Sequence, residues 1–77
     1  MTTRAYALIN SDVGKTAELA EGLRKLPDVV SADIVTGAYD IVVTLEGQDT
    51  NAIGRLVMNQ IHGMPGLKGT MTLIAVG

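Results

Sequence analysis

The chain echoes itself. Two helical stretches each run into an apolar-Pro-x-apolar tetrapeptide and then a strand-like run, LPDVVSADIV at 26–35 and MPGLKGTMTL at 64–73. A strand-helix-strand unit used twice leaves few arrangements that bury both helices against one sheet. The remaining segments fit that scheme. AYALIN (5–10) is a short β-type run, and VGKTAELAEGLRKL carries Ala17, Ala20 and Leu23, with Leu19 and Leu26 alongside, at three- and four-residue steps. Ser11 or Asp12 is placed to cap that helix, and Pro27 stops it.

VVSADIVTG (29–37) and YDIVVTLEG (39–47) are rich in Val, Ile and Thr, with only Gly37-Ala38 between them, which reads as an antiparallel hairpin. Thr50 to His62 is helical again, with Ile53, Leu56, Val57 and Ile61 on one face, and Gly63 ends it before GLKGTMTLIAV supplies a fourth strand. The order β-α-β-β-α-β predicts an α+β, ferredoxin-like sandwich. Its four-stranded antiparallel sheet carries both helices on one face, and residues 1–77 form one domain.

A domain of 77 residues has a thin stability margin, because a chain of this size buries only roughly 60% of its unfolded surface. Small domains compensate with disulfides, metals or partner subunits. There is no Cys, and the lone His62 cannot hold zinc without carboxylate help. Oligomerisation remains. The strand parity agrees: Ile41, Val43 and Leu45 alternate with Asp40, Val42 and Thr44, Tyr6 and Leu8 with Ala5, Ala7 and Ile9, and Met71, Leu73 and Ala75 with Thr70, Thr72, Ile74 and Val76, so both faces carry apolar groups. Helices on one side leave the other apolar face bare, so a face-to-face homodimer is expected.

Charge excludes other classes. The net charge is −2, with six Lys and Arg scattered singly and two tyrosines as the only aromatics. That supports neither a phosphate-neutralising surface nor a base-stacking platform, so no direct nucleic-acid contact is expected. No stretch resembles a signal peptide or a membrane span, which makes the cytoplasm the expected location and a membrane partner unexpected.

Most candidate sites have plain readings. Gly14-Lys15-Thr16 resembles the end of a phosphate loop, but the required glycine five residues earlier is Ile9, so it reads as a helix start. His62 at a helix end lacks a partner for acid–base work. Asp33 and Asp40 have no sequence-defined separation. The four methionines lack Cys or His companions and read as core filling. Neither a metal nor another cofactor is implied. Thr70 and Thr72, two apart on a strand, face the same way. If Gly37–Asp40 lies near them, a glycine backbone, a carboxylate and two hydroxyls converge in a set suited to a zwitterion.

Thr36-Gly37-x-Tyr39-Asp40 followed by Ile41-Val42-Val43, and Pro65-Gly66-Leu67 ahead of Thr70-x-Thr72, closely resemble the Lrp/AsnC (leucine- and asparagine-responsive regulator) family. The match is to its effector-binding domain, the regulation-of-amino-acid-metabolism module. It runs from about Ala5 to Val76 and starts at the domain's first strand, which implies a stand-alone form without the family's helix-turn-helix. The resemblance also implies dimers through facing sheets, assembled into octamers or decamers. An effector, usually an amino acid, is then held between dimers. Carried over by position, Gly37, Ala38, Tyr39 and Asp40 form one wall of that cleft. Thr70, Thr72 and Ile74 join from strand four, with Thr50 at the start of the second helix a further candidate. The function expected is amino-acid sensing through ligand-dependent assembly, modulating transcription regulators or metabolism, with co-assembly with DNA-binding relatives as one route. A non-enzyme is expected. Two alternatives stand beside it: a purely structural oligomerisation protein, and a small dimeric enzyme of monooxygenase or isomerase type.

Overall fold

In chain order the elements are β1 (Thr3–Ser11), α1 (Thr16–Arg24), β2 (Val29–Ile34), β3 (Ile41–Gly47), α2 (Thr50–Leu56), a π-helical turn (Val57–Ile61) and β4 (Leu67–Ile74). They are taken from a computed structural model that describes residues 2–76. Met1, one of the four methionines read as core filling, lies outside the described residues. The sheet order is β2-β3-β1-β4, antiparallel throughout. This is the ferredoxin-like sandwich.

The two echoed tetrapeptides make the same joint. Val29 N–H donates to the Leu26 carbonyl at 3.2 Å, and Leu67 N–H donates to the Met64 carbonyl at 3.3 Å. Each is a β-turn with Pro at its second position, where a fixed φ fits. The third positions differ. Gly66 takes φ +87°, whereas Asp28 has no positive φ, so the second turn adopts a form that needs glycine. Leu26 and Met64 then fold inward against the core.

Parity sorts the sheet as expected. Ala5, Ala7, Ile9, Ile41, Val43 and Leu45 are all fully buried, packed against Leu19, Ala20 and Leu23 of α1 and Ile53, Leu56, Val57 and Ile61 of the second helical segment. No polar or charged residue is buried among the described residues. Ala17 departs from the expected stripe and is exposed; at 100° per residue it sits about 120° away from Leu23.

Boundaries shift where hydrogen bonds compete. α1 begins at Thr16 behind Lys15, which offers no side-chain cap. Ser11 ends β1 and Asp12 enters a turn, its carbonyl accepting from Lys15 N–H at 3.0 Å, so neither caps α1. The β2–β3 connection is also longer than two residues. Val35 N–H donates to the Asp40 carbonyl at 2.9 Å, while Asp40 N–H turns to the Ile9 carbonyl at 2.8 Å. Asp40 is thereby drawn towards β1, and the strands stop at Ile34 and Ile41. Asp49 caps α2, accepting Ala52 N–H at 2.8 Å.

The second helix covers its expected span but widens after Leu56. In an ideal α-helix, two steps of four residues carry the stripe about 80° around the axis between Ile53 and Ile61. A wider turn, in which His62 N–H reaches the Val57 carbonyl at 2.9 Å, retards that rotation and brings Ile61 back over the core.

Candidate ligand site at the hairpin and the exposed sheet face

Asp40 is the fixed point of the hairpin tip. Its Oδ2 accepts the Ser11 backbone N–H at 2.8 Å and lies 3.3 Å from the Ser11 hydroxyl. That hydroxyl shares a 2.5 Å hydrogen bond with Thr16 Oγ1 at the start of α1. The tip is therefore tied to the end of β1 and, through Ser11, to a helix. Both contacts fall on Oδ2; among the described residues none is drawn to Oδ1. Ser11 was legible only as a helix cap, and nothing in local sequence links it to a residue 29 positions away.

The candidate residues divide. Gly37, at φ +148°, and Ala38 are exposed in the loop. Tyr39 reaches across the sheet, its hydroxyl 3.7 Å from Met71 Sδ on the face away from the helices. Thr70, Thr72 and Ile74 pair with Ile9, Ala7 and Ala5, so all three point to the helix side. Thr70 lies at the level of Ile41, next to the hairpin, and its buried Oγ1 has no hydrogen-bond partner. Thr72 is exposed. Ile74 lies four strand positions further on, about 13 Å away, and Thr50 begins α2 beyond the Gly47 end of β3. Within one chain, Asp40 and Thr70 occupy one end of the sheet, while Thr50 and Ile74 occupy the other.

The face away from the helices has an apolar centre. Leu8 is opposite Met71 and Val42, and Tyr6 is opposite Leu73 and Thr44. Met71 and Leu73 remain 50% and 45% exposed. At the rim, Arg4 and Glu46 face each other and form an ion pair at 2.8 Å. The hydrogen bond that the guanidinium donates to Glu46, with a lesser one to Tyr6, holds it above its ordinary pKa.

A model of the Lrp/AsnC ligand binding domain matches residues 4–77. This chain belongs to the Lrp/AsnC family. Among curated proteins, HTH-type transcriptional regulator FL11 of Pyrococcus horikoshii is 32% identical over 72 residues, covering 94% of this chain and 47% of that protein. This Lrp/AsnC domain thus spans about half the length of the curated relatives it matches. Among solved structures, FFRP-DM1 superposes with a TM-score of 0.91 at 31% identity, covering 96% of this chain and 99% of that one. A transcriptional regulator of Neisseria meningitidis, solved as its L-Met complex, shares the fold at a TM-score of 0.88 and 21% identity, covering 97% of this chain and 50% of that one.

Among the described residues no helix is long and apolar enough to cross a membrane, and no three His, Cys, Asp or Glu side chains cluster as metal ligands.

Proposed function

We propose that this Lrp/AsnC domain is an effector-sensing assembly module: a regulatory, non-catalytic unit that binds a small molecule, most simply an amino acid, between copies of itself. The observation that carries the reading is the bare sheet face centred on Leu8, Met71 and Leu73, with the hairpin reaching over it through Tyr39. Pairing two such faces removes the apolar surface from water, and it draws Tyr39 of each chain into the contact. Family membership supports a regulatory role, since curated relatives are transcriptional regulators. The L-Met complex of a regulator with this fold supports an amino-acid effector.

In this reading Gly37, Ala38, Tyr39 and Asp40 form one wall, with Asp40 Oδ1 offered to a ligand ammonium. The unsatisfied Thr70 hydroxyl and Thr72 supply polar contacts. Thr50 and Ile74 enter the same cleft only from a neighbouring dimer. A ligand held by two subunits favours the assembly that completes its site, shifting populations by its differential affinity. Partners carrying DNA-binding modules would then read the change, either within a longer polypeptide or by co-assembly. Among the described residues no acid or base is buried on the helix side to act with the Thr70 hydroxyl, which favours this over an enzyme with its cavity inside one protomer.

The test is a thermal-shift screen against the twenty amino acids, with the mass of each hit's assembly measured by light scattering. Stabilisation by a particular amino acid together with a change in mass is the expected result. A silent screen on a stable oligomer would leave a structural assembly unit instead.

A further inference from the structure

Core filling, the plain reading of the methionines, holds for Met64, which packs against the core. It fails for two others. Met58 is 69% exposed on the π-helical turn, and Met71 is 50% exposed on the open face of the sheet. A thioether that solvent reaches is also one that a dissolved oxidant reaches.

The surroundings of Met71 give that access a consequence. Leu8 is its partner on β1, with Val42 beyond on β3. Leu73 lies two positions along β4, on the same face. The sulfur thus sits within the apolar patch that pairing would cover. It also takes a hydrogen bond from the Tyr39 hydroxyl, at 3.7 Å. Tyr39 belongs to the hairpin, so this thioether is the point where the hairpin and the sheet face meet.

We infer that Met71 is an oxidative modification site through which a peroxide opposes assembly, an inference resting on the face-to-face pairing proposed above. A sulfur lone pair attacks one oxygen of hydrogen peroxide, and the O–O bond breaks. The departing hydroxide takes up the proton left on the transferred oxygen. The products are methionine sulfoxide and water, with sulfur giving up the two electrons that the peroxide gains. A flexible apolar side chain becomes a polar one.

On a free protomer, water satisfies the new oxygen. In a closed contact it would lie against Leu8, Val42 and Leu73, which carry no side-chain donor. The Tyr39 hydroxyl engages one of its lone pairs and leaves the rest. A polar group buried short of partners opposes association. Pairing also covers the sulfur, so oxidation acts on the free protomer and holds it apart. Sulfoxide reductases reverse the change: two thiols become a disulfide, and the oxygen leaves as water.

The test treats the whole chain with hydrogen peroxide at protein concentrations spanning dimer dissociation. Peptide mass spectrometry reads oxidation at Met58 and Met71, and sedimentation reads the assembly. Met58, away from the sheet face, reports the reactivity of an uncovered thioether. Oxidation of Met71 relative to Met58 should fall as protein concentration rises. Met71 sulfoxide should weaken pairing at least tenfold, and both sulfoxide reductases with dithiothreitol should restore it. Met71→Leu, close in volume, should pair normally and keep its affinity after peroxide. Three results would overturn the inference: oxidised Met71 with undiminished pairing, Met71 that stays reduced at every concentration while Met58 oxidises, or a Met71→Leu variant that peroxide dissociates equally. A native chain that is monomeric at every concentration would instead refute the face-to-face pairing itself, and this site's role with it.

Discussion

The Asp40 carboxylate accepts the backbone N–H of Ser11 at 2.8 Å, so a side chain proposed to hold a ligand also holds the fold. The two roles separate by substitution. Asp40→Ala removes the acceptor and should lower stability by about 1–3 kcal/mol, the cost of stranding a donor that had a charged partner. Asp40→Asn keeps an oxygen for Ser11 and should unfold within about 1 kcal/mol of the native chain. If the carboxylate binds an ammonium, Asp40→Asn should nonetheless abolish amino-acid-dependent thermal stabilisation. Denaturant melts with and without the effector separate the two effects, and an Asn variant with undiminished ligand response would remove Asp40 from the site.

Thr70 gives the opposite expectation. Its hydroxyl oxygen is buried without a partner, so it costs stability in the free protein. Thr70→Val keeps the shape and drops the hydroxyl. It should stabilise the unliganded chain by about 1 kcal/mol while weakening effector binding. Urea unfolding measures the first and titration calorimetry the second; loss of stability in the Val variant would mean the hydroxyl already has a partner.

Gly66 is constrained twice. Its φ is +87°, and a Cβ there would lie 2.9 Å from Lys15 Cβ. Gly66→Ala should cost about 1–3 kcal/mol. Gly63 has open space around it and no positive φ, so Gly63→Ala should be neutral or stabilising by up to about 1 kcal/mol. Parallel chemical melts compare the signs directly.

The sheet face can be tested with a charge. Leu73 is 45% exposed beside Tyr6, and Leu73→Glu would bury an unpaired carboxylate in any face-to-face contact. Dimer affinity should fall at least 100-fold, about 3 kcal/mol, while the protomer fold survives. Sedimentation at several concentrations reads the change; an unaltered mass would place the dimer contact elsewhere.

Much of the architecture was legible because it rests on periodicity. Two-residue alternation separated Ala5, Ala7 and Ile9 from Tyr6 and Leu8, and the paired Leu-Pro and Met-Pro joints located both returns to the sheet; which set faces the helices came from the fold. What escaped depends on contacts between distant residues. Ser11 looks like a helix cap until Asp40 arrives from the hairpin, and the hairpin looks like a two-residue turn until Asp40 N–H leaves it for Ile9. Alternation put Thr70 and Thr72 on one face correctly, but no pattern revealed that Thr50 and Ile74 lie at the far end from Asp40.

The π-helical turn at 57–61 amounts to one residue more than a regular helix of the same rise would hold. The helix surface after Leu56 is in that sense a matter of chain length. Shortening this turn by a residue would let the helix regularise with Ile61 seven positions after Ile53, still over the core, while Asn59 and Gln60 would turn to new positions on the surface. Insertions and deletions, which leave composition almost untouched, are then the changes that would redraw this surface while sparing the core.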